Sequence, residues 1–222
     1  MSKLVLRVVI ALAFAPVASV YAQCDFSDIP VMSEMQVSSL MDNAQYNSRP
    51  MAVRSFTANV AAESVASFYR QSWRDRYSES TFGPWQQIGT LEGECFFTVQ
   101  YGGAGDSAFG RLLISKIPKG DGGGKLGVGV IKPSDAMVVS DLLTDDGPKK
   151  GRVTMITSQQ SVAELVRFYR TEMAANSWSL EQEFHRGSGA VLVFRKGINE
   201  NNIVIMPAGE ASQILINEVE VH

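Results

Sequence analysis

The sequence predicts an α+β protein of two tandem modules. Each module is a strand and one amphipathic helix followed by a four-stranded antiparallel meander, with the helix packed on the sheet. Three observations predict it. First, Phe68-Tyr69-Arg70 recurs as Phe168-Tyr169-Arg170, 168 − 68 = 100 residues later. Second, flanking stretches recur in the same order: Met35-Gln36-Val37-Ser38-Ser39-Leu40 faces Met137-Val138-Val139-Ser140-Asp141-Leu142, and Trp85 faces Trp178. Likeness between two helices alone would not repeat the flanks, so the pattern reads as an internal repeat. Third, each helix is followed by short alternating runs separated by glycine-bearing turns, the signature of hairpins.

In chain order, residues 1–22 read as a secretory signal peptide. Lys3 and Arg7 precede the apolar run Val8–Phe14, Pro16 ends it, and Val20-Tyr21-Ala22 places small residues where a signal peptidase reads. The run is far short of the roughly 20 residues that span a bilayer. Tyr21 and Gln23 spoil the context of a lipoprotein cysteine at Cys24. Cleavage near Ala22 removes two of the 20 Lys and Arg, leaving 18 against 23 acidic residues, a net charge of −5. That balance argues against a nucleic-acid partner and against general attraction to anionic lipid. The expected location is the periplasm or the exterior. There the two cysteines, Cys24 and Cys95, are expected to form a disulfide.

The first module is expected over residues 23–132. Met35–Met41 reads as a short strand or one helical turn, Asn43–Pro50 as loop, and Met51–Thr57 as a strand. A helix follows from about Asn59 to Arg76, with Ala61, Val65, Phe68, Tyr69, Ser72 and Trp73 as its buried stripe. Aligning Trp85 with Trp178 implies about seven extra residues at Arg74–Thr81. Strands are expected at Trp85–Leu91, Cys95–Tyr101, Phe109–Ile117 and Leu126–Ile131, with Pro118–Gly124 as a glycine-rich hairpin loop. The second module is expected over residues 133–222. After the polar turn Asp145–Gly151 comes a strand at Arg152–Ile156. Ser161 and Glu164 then form a capping box for a helix whose stripe is Val162, Leu165, Val166, Tyr169 and Met173. Strands at Trp178–Phe184, Ala190–Arg195, Ile203–Met206 and Gln213–Val219 complete it, with a turn at His185–Ser188.

No catalytic, cofactor or metal motif emerges. His185 and His222 lack a recognisable acid and nucleophile. Gly187-Ser188-Gly189 is not a nucleophile elbow, and Gly120–Lys125 lacks the Ser or Thr and the helix of a phosphate loop. An enzyme would rest on acidic residues such as Glu63 or Glu164 placed by the fold, and capping already explains Glu164. Arg70 and Arg170 follow the aromatic pair in both copies. A cation near a helix C-terminus suits the dipole, and the same two residues are the candidate anchors for an acidic partner.

The arrangement of a strand, an amphipathic helix ending in Phe-Tyr and a Trp-led strand, at Arg54–Trp85 and Thr154–Trp178, resembles a recurrent module of uncharacterised bacterial envelope proteins and lipoproteins. Pro84 and Ser177 stand where such modules usually carry Gly before Trp. The resemblance implies an envelope setting and carries no catalytic residues across. The leading expectation is therefore an exported, non-enzymatic protein that binds an envelope or secretion component as an accessory or assembly factor. The alternative is a small-molecule or lipid binder with a pocket between the modules. A hydrolase ranks third.

Overall fold

The computed structural model describes residues 24–117 and 124–222. The expected signal peptide and most of the Pro118–Gly124 loop lie outside them. The architecture is α+β. One antiparallel sheet of twelve strands carries two helices on the same face. The elements are β1 (Met35–Tyr46), β2 (Arg49–Ala58), α1 (Ala62–Trp73), β3 (Ser78–Phe82), β4 (Trp85–Glu92), β5 (Cys95–Ala104), β6 (Ser107–Lys116), β7 (Met137–Asp145), β8 (Lys149–Ser158), α2 (Val162–Ala175), β9 (Ser179–Arg186), β10 (Gly189–Lys196), β11 (Asn199–Ala208) and β12 (Ala211–Val221).

The strand order is β3-β4-β5-β6-β2-β1-β7-β8-β12-β11-β10-β9. Read outward from the β1–β7 seam, both sides run through first strand, second strand, last strand and back to the strand after the helix. The seam is narrow: Ala44, Gln45 and Tyr46 pair with Thr144, Leu143 and Leu142. Asn47 reinforces it. Its amide donates to the Asp141 carbonyl at 2.8 Å, and its Oδ1 accepts from the Asp141 amide at 2.9 Å.

Several expectations need correction. β1 runs to Tyr46, and β2 begins at Arg49, so Asn43–Pro50 is a tight hairpin rather than a loop. Register shifts between Ser39 and Ala44 break the alternation that would have revealed the strand. Each side therefore has two strands before its helix, not one. Ser78–Phe82, placed in an inserted loop, is the edge strand β3, and its counterpart beyond α2 is β9. Trp85 opens β4 whereas Trp178 precedes β9, so the two tryptophans are not equivalent and the seven-residue insertion disappears. Leu126–Ile131 is no strand. Gly127 and Gly129 take positive φ there, and a Cβ on Gly127 would meet Val138 Cγ2 at 2.6 Å. His185 lies in β9, and the turn is Gly187-Ser188.

The helices are stripes laid on the sheet, as their spacing requires. Val65, Ala66, Tyr69 and Trp73 of α1 are buried, as are Leu165, Val166, Tyr169 and Met173 of α2. The expected capping box is present: Ser161 Oγ accepts from the Glu164 amide at 3.3 Å, and Glu164 Oε2 accepts from the Ser161 amide at 2.8 Å. Two separate apolar cores result, one under each helix.

A strap of chain covers the open side of each core, and the two straps are held by different chemistry. The first, around Cys24–Pro30, is joined to β5 by the Cys24–Cys95 disulfide. It buries Ile29 and receives a 2.8 Å hydrogen bond on the Pro30 carbonyl from the Tyr69 hydroxyl. The second, around Gly127–Ala136, is held by charge. Asp141 accepts from the Gly127 amide at 2.8 Å, from Arg152 Nε and Nη2 at 2.9 and 2.7 Å, and from Thr154 Oγ1 at 3.2 Å. Arg152 Nη1 donates to the Val128 carbonyl at 2.7 Å. At the far end Asp135 accepts from Ser158 Oγ, the Gln159 amide and Gln160 Nε2.

Candidate ligand cavity in the second half

The site is built on one rung of the sheet. Asn201 on β11 lies opposite Glu218 on β12. Both stand on the helix face, because they continue the alternation Asn201-Ile203-Ile205 and Ile214-Ile216-Glu218 whose other members form the second core. Counted from the β5–β6 and β11–β12 hairpins, the corresponding rung of the first half is Phe97 opposite Ile114. Those two side chains are 2% and 4% exposed and fill the first core. Where the first half closes its core with a phenyl ring and a butyl group, the second has an amide and a carboxylate.

A cavity of about 160 Å³ opens beside that rung. Val130 of the strap, Met173 of α2, Trp178 and Ile203 and Ile216 of the sheet wall it. Trp178 is placed by the end of α2, where Ser177 takes φ +65° and the Trp178 amide donates back to the Met173 carbonyl at 2.9 Å. Lys196 lies at the rim with its Nζ donating to the Asn176 carbonyl at 3.1 Å. Asn201 is 5% exposed, and its Oδ1 has no hydrogen-bond partner. Burial pushes the Glu218 carboxyl above its ordinary value, and the neighbouring Glu220 adds to the effect against Arg152 and Lys196. A buried amide oxygen without a donor costs about 1–3 kcal/mol, so it calls for an explanation.

The cavity opens past Gly129 and Glu218 into a cleft of about 940 Å³ between the two halves. Gln45 and Pro50 contribute from the first half, and Leu143, Lys150 and Arg152 from the second. This is where a pocket between the modules was expected, although the enclosed part belongs to the second half alone.

The arginines singled out in the sequence are not brought together. Arg70 donates from Nε to Glu79 Oε1 at 2.6 Å and from Nη1 to Glu63. Arg170 grips Glu183 with Nε to Oε2 at 2.8 Å and Nη2 to Oε1 at 2.6 Å. Glu79 and Glu183 lie three residues before their respective hairpins, on β3 and β9 at opposite edges of the sheet. The two carboxylates raise the Arg70 pKa, Glu79 first. Arg170 and then His185, whose Nε2 is 2.6 Å from Glu183 Oε1, hold the Glu183 carboxyl below its ordinary value. Each arginine thus ties a helix end to an edge strand. Glu63, 73% exposed at its side chain, takes part in the first of these ties. Among the described residues no three His, Cys, Asp or Glu side chains gather as metal ligands would, and no helix is long and apolar enough to cross a membrane.

Asn201, Glu218, Glu79 and Glu183 carried no motif. The available signal was register: extending the alternation of Ile203–Ile205 and Ile214–Ile216 outward by one inward position reaches Asn201 and Glu218.

A family model described as START domain-like matches residues 137–214. The match begins at β7 and ends within β12, so it takes in α2, Trp178 and Asn201. No curated protein and no solved structure matches the chain.

Proposed function

We propose that this chain is an exported, non-enzymatic binding protein built by duplication of one β-β-α-β-β-β-β module, and that its second half takes a small molecule. The polar rung carries the reading. In the first half the rung is Phe97–Ile114 and the core is closed; in the second it is Asn201–Glu218, and a walled cavity with an unsatisfied acceptor stands beside it. Ligand sites tend to be mostly apolar hollows with a few convergent polar groups, often where units meet. The START domain-like match agrees with a binding role and falls on the same half. The duplication is supported by the common strand order outward from the seam and by the repeated Arg–Glu tie in each half. Export is supported by the disulfide and by the leader-like character of residues 1–22. On this reading the boundary expected at 132/133 moves ahead of Gly127, because Val130 and Ile131 pack in the second core.

The test is native mass spectrometry of the protein purified from its exported form, beside a variant carrying Asn201→Phe and Glu218→Ile, which rebuilds the first-half rung. A co-purifying small molecule present in the wild type and lost in the folded variant is expected. Equal recovery in both places the ligand elsewhere.

A second reading, binding of an envelope or secretion component, is favoured by the uncovered face of the sheet. Phe96 and Phe109 alternate with core residues of β5 and β6, point away from the helices, and are 39% and 48% exposed. The edge strands β3 and β9 also lack outer partners, which suits strand addition. In-cell crosslinking from position 96 is expected to recover one dominant envelope protein on this reading, and a diffuse pattern counts against it.

A further inference from the structure

We infer that the second-half cavity is selective for a protonated primary amine with a compact apolar body, its ammonium group set against the Asn201–Glu218 rung. This rests on the small-molecule reading above and adds the chemical class. The buried orphan of the cavity and its carboxylate are acceptors, while Lys196, Asn176 and the Asn201 amide nitrogen line it as donors. Asn201 Oδ1 is buried and unpartnered, and the Glu218 side chain enters no hydrogen bond or ion pair among the described residues. Two acceptors facing across one rung call for a donor-rich group between them, and an ammonium offers three N–H bonds and no lone pair.

The nearby cations do not compete for that role. Arg152 is held by Asp141 and by the Val128 carbonyl. Lys196 donates to the Asn176 carbonyl at the rim. Neither forms an ion pair with Glu218, so the carboxylate lines the cavity with only through-space attraction from Arg152 and Lys196, and Glu220 stands beyond it at the mouth of the cleft. An anionic ligand would meet that pair head on. A neutral alcohol would satisfy Asn201 and leave Glu218 desolvated and uncompensated, which is the costlier of the two defects.

The walls fit the rest of such a molecule. Met173, Ile203, Ile216 and Val130 are apolar, and the Trp178 indole offers a π face to a cation or its adjacent methylene. A cavity of about 160 Å³ is close to the roughly 150 Å³ engineered apolar cavity that accommodates benzene. The apolar body is therefore one ring or a short branched chain rather than a long acyl tail.

The experiment titrates the folded wild-type protein with benzylamine, benzyl alcohol and benzoate at neutral pH and reads the heat of binding. These probes differ in charge while keeping one ring. Benzylamine is expected to bind at least about tenfold more tightly than benzyl alcohol, the difference a charge-assisted hydrogen bond supplies, and benzoate not at all. Glu218→Gln keeps the shape and is expected to erase the amine's advantage over benzyl alcohol. Equal binding of amine and alcohol, or preference for benzoate, overturns the amine assignment. If that binding is lost in the Asn201→Phe, Glu218→Ile variant, the cavity remains a ligand site of another class. No binding by any probe, together with no co-purifying molecule, overturns both the assignment and the reading beneath it. The wild-type selectivity alone decides the matter if the Glu218 variant does not fold.

Discussion

Tyr69 and Tyr169 hold the same place in their helices, and both are fully buried. Burial raises both phenol pKa values, so both stay neutral donors. The Tyr69 hydroxyl bonds to Pro30, whereas the Tyr169 hydroxyl has no partner. We expect Tyr69→Phe to cost about 1 kcal/mol and Tyr169→Phe to cost nothing or to stabilise, because only the first removes a made hydrogen bond; urea midpoints of the two variants check this. Ser177 pays for its left-handed backbone at the end of α2. Ser177→Gly is expected to stabilise by about 1 kcal/mol, seen as a later midpoint at unchanged slope. Asp141 is the fourth residue with a measurable signature. Burial alone would raise its pKa, but Arg152, the Gly127 amide and Thr154 outweigh it and hold the carboxyl below its ordinary 3.8. A carboxyl with a lowered folded pKa contributes its stabilisation above the ordinary value and loses it as pH falls through the folded one. Asp141→Asn is therefore expected to be less stable by about 3 kcal/mol near neutrality, since it strands a largely buried arginine. The gap to wild type should close as pH drops below 3.8; denaturation measured across that range checks the sign.

At the scale of elements, the two straps differ in what would release them. The disulfide closes a loop with a sequence separation of 71 residues, which stabilises by about 4 kcal/mol in the chain-entropy model. Cys95→Ser is expected to raise hydrogen exchange around Phe26–Met35 and α1 while α2 and β10–β12 keep their protection. Helices, central strands and the cysteine pairing were legible in the sequence because each leaves a local mark: a stripe at 3.6-residue spacing, a capping box, a single pair of cysteines. Elements without such a mark were missed. All five residues of β3 are exposed, so an edge strand shows no alternation to read. The register shifts of β1 erase its alternation too. Leu126–Ile131 looked like a strand because it is apolar, yet its buried Val130 covers a core instead of pairing in the sheet. The rung Asn201–Glu218 went unseen for a related reason. Its residues are polar, and polar residues at a strand end read as turn until pairing shows which way they face.

In the whole molecule, two cores share one sheet through a seam of three paired residues and the reciprocal bonds of Asn47 with Asp141. Asn47→Gly keeps the backbone turn and removes the side-chain bond. It is expected to speed exchange at Leu142–Thr144 and Ala44–Tyr46 while leaving both cores protected, a local rather than global effect. So narrow a seam lets each half lose structure without dragging the other along. The covalent strap then gives the chain a dependence on where it resides. A copy kept among reducing thiols would retain the ionic cover over the second core and lack the bonded cover over the first. Its weak point to a protease would be the N-terminal half, so trimming would begin from that side, and a single sulfur–sulfur bond would decide which copies survive intact.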